Sequence, residues 1–129
     1  MKAVSNTCEI IHQTKSTLPR VPFAAIKDKI LGEKYELSVA SVSPAQSRKL
    51  NNQFRGKDYP TNTLAFSLSK TSGEIVLQIE KIKKDAPDFD MSFTQFTKFL
   101  FIHSCLHLKG MEHSSTMEKE ERKFLKHFS

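Results

Sequence analysis

The residues best suited to chemistry are three histidines near the C-terminus, at positions 103, 107 and 113 of the stretch HSCLHLKGMEH. On a helix that turns about 100° per residue, the first two lie about 40° apart and so share one face. Gly110 predicts the end of that helix, because glycine readily adopts a positive φ. The chain can then turn back and bring His113 toward the first pair. Three neutral imidazoles with a fourth position open are the ligand set of a catalytic Zn²⁺ site, so the pattern predicts a metal held by His103, His107 and His113.

The surroundings of this pair favour a metal site over a pair of ordinary polar residues. Two histidines at helical spacing also occur as surface residues or as hydrogen-bonded core residues. Here, however, they lie in a strongly apolar segment, FTKFLFIHSCLHL. Burying an imidazole in such a helix costs free energy unless it has a partner, and a metal ion supplies one. Cys105 lies about 200° round the helix from each histidine, so we expect a small core residue there and not a ligand.

Length and composition indicate one globular domain. The chain has 129 residues, of which 38% are hydrophobic and 26% charged; this is the size and composition of a typical single domain. No segment approaches the roughly 20 apolar residues of a membrane span. The N-terminus lacks the apolar region of a signal peptide, so we expect a cytoplasmic protein. Two cysteines are too few for a disulfide framework.

The charge balance favours a polyanionic partner. Lysine and arginine number 20 against 14 aspartates and glutamates, which gives a net charge of +6 and a pI near 9.4. Such an excess is typical of proteins that bind nucleic acid. Many small basic proteins bind none, so charge alone does not decide between these two classes.

The order of apolar patterns and turn residues predicts an α+β fold. A single domain should contain a mixed β-sheet of about four strands with helices packed on it, and the metal site should lie on the main C-terminal helix. The helix at 44–54 carries Ala45, Leu50 and Phe54, with Arg48 and Lys49 exposed. The predicted elements are strand 6–13, helix 21–31, strand 35–42, helix 44–54, a hairpin of strands 63–68 and 73–79, a short helix 80–86 ended by a proline, helix 93–109 and a last helix capped at 114 or 115.

The spacing of the histidines also fits the zinc peptidase pattern H-E-x-x-H-x-x-G-x-x-H. Every histidine and the glycine match, but Ser104 stands where the peptidases have glutamate. That glutamate is the general base of the peptidase reaction, and a serine hydroxyl cannot take its place at neutral pH. The sequence therefore predicts peptidase-like ligands without peptidase chemistry.

Three blocks of the chain resemble the YbeY family of endoribonucleases, also called rRNA maturation factors. The histidine stretch is similar to the family signature H-G-x-L-H-L-x-G-x-D-H, with Ser104 at the glycine and Glu112 at the aspartate. Residues 50–67, LNNQFRGKDYPTNTLAFS, resemble the block L-N-x-x-Y-R-G-K-D-x-P-T-D-V-L-S-F-P, with Asn62 and Ala65 at an aspartate and a serine. Residues 73–78, GEIVLQ, resemble G-D-I-V-I-S, and 117–121 resemble the start of the family's last helix.

The resemblance implies a specific activity and specific roles. One Zn²⁺ per chain would be held by His103, His107 and His113, and Arg55 would act in catalysis. The activity would be metal-dependent cleavage of single-stranded RNA, in maturation of the 3′ end of small-subunit 16S rRNA and in ribosome quality control. Residues 1–129 would form a single endoribonuclease domain, with ribosomal RNA and ribosomal subunits as partners and no membrane partner. A guanidinium suits the role of Arg55, because it binds phosphate bidentately and stabilises the charge of a pentacoordinate transition state.

Three points stay open at the level of sequence. Arg48, Lys49 and Lys57 are candidates for contacts to the RNA backbone. Glu112 is a candidate for a general base or for a residue that supports a histidine ligand. A second function is an RNA-binding ribosome-assembly factor with little or no catalysis, whose zinc is structural because a fourth protein ligand closes the site.

Overall fold

The computed structural model describes residues 8–12 and 17–129. Its elements follow the predicted order β-α-β-α-β-β-α-α-α, with one 3₁₀ turn added before the main helix. Residues 6, 7 and 13 of the predicted first strand lie outside the described residues. The elements are β1 Cys8–His12, α1 Phe23–Leu31, β2 Glu36–Ser41, α2 Pro44–Arg55, β3 Thr63–Ser69, β4 Ser72–Leu77, α3 Ile79–Asp85, the 3₁₀ turn Ala86–Phe89, α4 Phe93–Leu108 and α5 Ser115–His127.

The four strands form one mixed sheet in the order β1-β2-β4-β3. Strands β1, β2 and β4 run parallel, and β3 pairs antiparallel with β4, as the predicted hairpin requires. The sequence-based prediction of a single-domain α+β fold with a mixed sheet of about four strands is confirmed. Strand β3 lies at one edge of the sheet, so only one of its sides is paired within the described sheet.

The two faces of the sheet are covered unequally. The larger hydrophobic core joins one face to α1, α4 and α5, and it includes Ile26, Val39, Phe101 and Met117. The smaller cluster on the other face consists of Ala40, Val42, Leu64 and Val76, with Leu50 of α2 and Phe66 of β3 packed against it. No helix in the described part of the chain is long and apolar enough to cross a membrane.

Serine caps set the start of three helices, as the sequence predicts. Ser43, Ser92 and Ser114 each accept a hydrogen bond from the backbone N–H three residues ahead, at 3.2 Å. Ser43 also forms a capping box, in which Gln46 accepts the N–H of Ser43 at 2.9 Å. Pro87 lies in the 3₁₀ turn that follows α3, so it ends the α-helix without ending the helical path of the chain.

Helix α2 buries a polar face, which its apolar residues do not indicate. Ala45 is exposed and Phe54 is 57% exposed, whereas Ser47 and Asn51 are buried. The Ser47 hydroxyl donates to the Thr61 carbonyl at 2.6 Å and accepts the Thr61 N–H at 2.9 Å. The Asn51 amide donates to the Tyr59 carbonyl at 2.9 Å. Helix α2 therefore fixes the loop between α2 and β3. Its buried face is polar because the N–H and C=O groups of a loop backbone need hydrogen-bond partners.

We expect Ser47→Ala to lower the free energy of unfolding by about 1–3 kcal/mol, because it leaves a partly buried N–H and a partly buried carbonyl of Thr61 without their partner. Urea denaturation of the variant and the wild type measures the difference. Lys49→Ala, on the exposed side of the same helix, is the control and should change stability by less than about 0.5 kcal/mol. Equal stability of Ser47→Ala and the control would contradict this role for α2.

Candidate metal centre

Helix α4 places two of the three histidines. It begins at the Ser92 cap and is buried on most sides, through residues such as Phe96, Phe101 and Leu106. His103 and His107 are half-buried and lie one turn apart, with ring centroids 4.6 Å apart. Because the helix is held on the sheet by its apolar residues, the direction in which these two rings point is fixed.

The turn after α4 brings the third histidine to the pair, as predicted. Gly110 adopts φ +107°, and the N–H of Met111 donates to the Leu106 carbonyl at 3.0 Å, which closes the helix end. The ring of His113 then lies 5.0 Å from that of His103 and 4.9 Å from that of His107, between centroids. The potential ligand atoms of the three rings all lie within 4.8 Å of one another.

The hydrogen bonds of the rings fit a bound cation. The Nδ1–H of His107 donates to the Met111 carbonyl at 3.1 Å, and Nδ1 of His103 is bonded to a carboxylate oxygen of Glu121. In neutral rings both Nε2 atoms are therefore acceptors, and they face each other at 3.0 Å. The lone pairs of two nitrogens at this distance repel each other, and a cation between them removes that repulsion. Tetrahedral zinc with Zn–N bonds of about 2.0–2.1 Å separates its ligand nitrogens by about 3.3 Å, which is close to the observed spacing.

The electrostatics at His107 also favour a neutral ligand. Burial lowers the pKa of His107, and the charges of His103 and His113 lower it further; the hydrogen bond to Met111 and the charge of Glu121 oppose this shift. A lowered pKa keeps the ring neutral near pH 7, the state in which imidazole binds a metal. Burial raises the pKa of Cys105, which lies in the core as predicted, so its thiol stays protonated.

Glu121 is a site residue that the sequence analysis missed. It lies on α5 between the buried residues Met117 and Phe124, and it is itself buried. The position of this carboxylate on the apolar face of a helix could have indicated a site role, because a carboxylate is seldom buried without a partner. Glu112, considered for this supporting role, is exposed. The structure thus assigns the support of His103 to α5 and not to the turn that carries His113.

The histidines line a cleft of about 460 Å³, and Arg55, at the C-terminal end of α2, lines the same cleft. The chain turns at Gly56, which adopts the left-handed conformation after the helix. The cleft is lined by Arg55, Thr61, Asn62, Thr63, Leu64, Ala65, Leu100, His103, Ser104, His107 and His113. All four residues singled out for chemistry by the sequence are therefore in one cleft.

The other basic residues considered for RNA contacts are placed elsewhere. Within the described chain, Arg48, Lys49 and Lys57 do not line this cleft. The Arg48 guanidinium binds Asp58 through two hydrogen bonds, of 2.8 and 3.0 Å. This exposed pair helps to shape the loop between α2 and β3.

Ser104 lies in the wall of the cleft and is buried. Its hydroxyl is 3.4 Å from the hydroxyl of Thr63 on β3. The contact joins α4 to the edge strand of the sheet, so the position is one of close helix–strand packing. A serine here has no carboxylate with which to act as a base.

Comparison with known proteins agrees with this geometry. A family model described as Endoribonuclease YbeY matches residues 3–129. The chain belongs to the YbeY endoribonuclease family. Endoribonuclease YbeY of Alkaliphilus metalliredigens is 35% identical over 67% of this chain and 63% of its own length. Endoribonuclease YbeY of Francisella philomiragia is 34% identical over 77% of this chain and 70% of its own length.

The fold of the YbeY-family chain is also found in a solved structure. The solution structure of TM1509 from Thermotoga maritima matches with a TM-score of 0.63 and 25% sequence identity. The match covers 92% of this chain and 87% of that one. The match confirms the α+β architecture on which the histidine cleft is built.

We expect Glu121→Ala to weaken metal binding by roughly 10- to 100-fold, because the carboxylate orients His103 and raises the basicity of its Nε2. Competition with a chelator of known affinity measures the change, and circular dichroism checks that the variant is folded. Glu118→Ala removes an exposed carboxylate from the same helix and should bind metal like the wild type. Equal affinities of the two variants would contradict the supporting role of Glu121.

Proposed function

We propose that this chain is a zinc-dependent endoribonuclease that cleaves single-stranded RNA, and that residues 1–129 act as one catalytic domain. The observation that carries the proposal is the presence of three clustered histidines and Arg55 in one open cleft. Family membership supports the reaction class, since the related proteins are named endoribonucleases. Processing of ribosomal RNA in the cytoplasm, at the 3′ end of 16S rRNA, and ribosome quality control are the cellular roles that we propose with it.

His103, His107 and His113 would hold one Zn²⁺ per chain. Bound there, zinc supplies a Lewis acid that polarises a phosphoryl oxygen and lowers the pKa of a water molecule toward about 7. The protein's part is to bring the three rings together and to orient them. Glu121 and the Met111 carbonyl orient His103 and His107 by accepting hydrogen bonds from Nδ1, which leaves Nε2 of each ring to face the metal.

Arg55 has the position and chemistry to bind the scissile phosphate. Its guanidinium is cationic and can donate two hydrogen bonds to phosphate oxygens. The extra negative charge of the transition state strengthens this interaction, so Arg55 would contribute to catalysis as well as to binding. Arg55 ends α2, and the Ser47 and Asn51 hydrogen bonds join this helix to the loop that follows it, which limits the reorganisation that substrate binding requires.

The second candidate function is an RNA-binding assembly factor with a structural zinc ion. A structural site requires a fourth protein ligand. Among the described side chains, the ligand cluster contains the three histidines alone. His127 lies at the end of α5 with its ring against Phe128, at 4.8 Å between centroids. This arrangement favours a site that stays open to a substrate.

The peptidase alternative lacks its general base. Ser104 occupies the position after the first histidine and is buried against Thr63. The nearby carboxylate, Glu121, binds Nδ1 of His103, on the opposite side of that ring from Nε2. We therefore keep phosphodiester cleavage as the proposed chemistry.

We expect Arg55→Ala to reduce cleavage of single-stranded RNA by about 100- to 1000-fold, because it removes a donor that stabilises transition-state charge. Arg55 is exposed at the C-terminal end of α2, so the melting temperature should barely change. The assay is cleavage of a labelled RNA oligonucleotide with and without a chelator, in which the wild type should lose activity and regain it with added zinc.

Arg122→Ala is the matched control, since it removes the same charge from an exposed position on α5 outside the cleft. It should cleave RNA like the wild type. RNA cleavage by Arg55→Ala at the wild-type rate, or wild-type cleavage that persists in chelator, would overturn the proposed mechanism.

A further inference from the structure

A second cleft of about 540 Å³ adjoins the histidine cleft on the side of α3. Thr61 and Asn62 line both clefts and form the wall between them. We propose that this second cleft, here called the Tyr59 cleft, binds a nucleotide of single-stranded RNA next to the phosphate that is cleaved. The inference rests on the proposed function and adds a binding site to it. The Tyr59 cleft is lined by Pro44, Tyr59, Pro60, Thr61, Asn62, Gln78, Glu80, Lys81 and Lys84.

Tyr59 offers a surface on which a base can stack. It is 53% exposed, so its ring is accessible to a ligand. Its backbone is nevertheless fixed, because its carbonyl accepts the Asn51 amide at 2.9 Å and Pro60 follows it. An aromatic ring on a fixed backbone binds a base at low cost in conformational entropy, and stacking tolerates every base because each has a π-face.

The charges of the Tyr59 cleft suit a phosphate backbone. Lys81 and Lys84 lie one turn apart on α3 and both line the cleft, against one carboxylate, Glu80. Lys81 pairs with Asp85 at 3.3 Å, while Lys84 is exposed. With Arg55 in the adjoining cleft, cationic side chains lie on both sides of the shared wall. A cationic path with an interleaved aromatic ring is the usual composition of a single-strand binding groove.

The wall between the two clefts is held from both sides. The Asn62 amide donates to Asp85 of α3 at 3.1 Å, and the Thr61 backbone is bonded to Ser47 of α2. The two clefts therefore keep a fixed separation. A strand whose phosphate lies at Arg55 would continue across Thr61 and Asn62 into the Tyr59 cleft without a conformational change of the loop.

A third cleft, of about 450 Å³ on the other side of β3, fits RNA less well. It is lined by Leu50, Phe54, Ala65, Phe66, Ser67, Leu68 and Glu74. Phe54 and Phe66 offer aromatic rings, but the one charged residue in this described lining is a carboxylate. Phosphate is repelled there, so charge favours the Tyr59 cleft.

The test measures binding and cleavage separately. Anisotropy of a short, labelled, mixed-sequence single-stranded RNA gives Kd for the zinc-loaded wild type and variants in the cold, with a gel to confirm that the RNA stays intact. Tyr59→Ala should raise Kd by about 5- to 100-fold, and Tyr59→Phe, which keeps the ring, should stay within about twofold of the wild type. In cleavage assays Tyr59→Ala should raise KM more than it lowers kcat, because the contact lies away from the reacting phosphate.

Lys84 is tested by the salt dependence of binding. Lys84→Ala should reduce the slope of log K against log salt concentration by about 0.7, the value for one phosphate contact of a single strand. Lys83→Ala is the matched control on the same helix. Its ammonium lies over the Phe93 ring, 5.1 Å from the centroid, and it does not line the Tyr59 cleft. This control should keep the wild-type slope.

The outcomes separate this inference from the proposed function. Binding by Tyr59→Ala and Lys84→Ala that equals the wild type, or no binding of the RNA by the wild type, overturns the Tyr59 cleft as a nucleotide site. Weaker binding by both variants supports the nucleotide site even if the wild type cleaves no RNA. The absence of cleavage would overturn the nuclease proposal alone. Cleavage by the wild type with unchanged binding by the variants leaves the nuclease proposal and rejects the nucleotide site.

Discussion

The site depends on the burial of α4, a helix that is apolar on most of its surface yet carries two imidazoles. The apolar residues fix the helix against the sheet and so determine where His103 and His107 point. Half-buried imidazoles are tolerated only when their nitrogens have partners. Glu121 and the Met111 carbonyl satisfy the two Nδ1 atoms. What remains is a pair of Nε2 atoms that face each other at 3.0 Å, for which a metal cation is the natural partner.

Polar contacts of α2 fix the loop that forms another part of the cleft. Helix α2 turns Ser47 and Asn51 inward and bonds them to the backbone of the loop that precedes β3. This loop carries the wall of the cleft, and the helix end carries Arg55. Two independent supports, α4 with the histidines and α2 with the arginine, therefore converge on one cleft. In the proposed phosphoryl chemistry the histidines would hold the metal and the arginine would bind the phosphate.

The parts of the structure that local sequence determines were predictable. The spacing of His103 and His107, the glycine turn and the three serine caps are all local, and the structure confirms them. The strand order β1-β2-β4-β3 depends on pairings between distant segments, which apolar patterns do not encode. The polar face of α2 was missed because its partner is a loop backbone. The site role of Glu121 was missed because only the packing of α5 on α4 brings it to His103. Arg55 was identified through a resemblance to known sequences, since an exposed arginine has no local signature of function.

The most direct measurement of the central claim is the metal content of protein purified without added metal. Elemental analysis should find about one zinc ion per chain in the wild type, because three clustered imidazoles form a complete set of protein ligands for a catalytic zinc site. His107→Ala should lose nearly all of it, whereas His127→Ala, which changes an exposed histidine at the end of α5, should retain it. Less than about a tenth of a zinc ion per folded wild-type chain, or equal zinc in the two variants, would contradict the account.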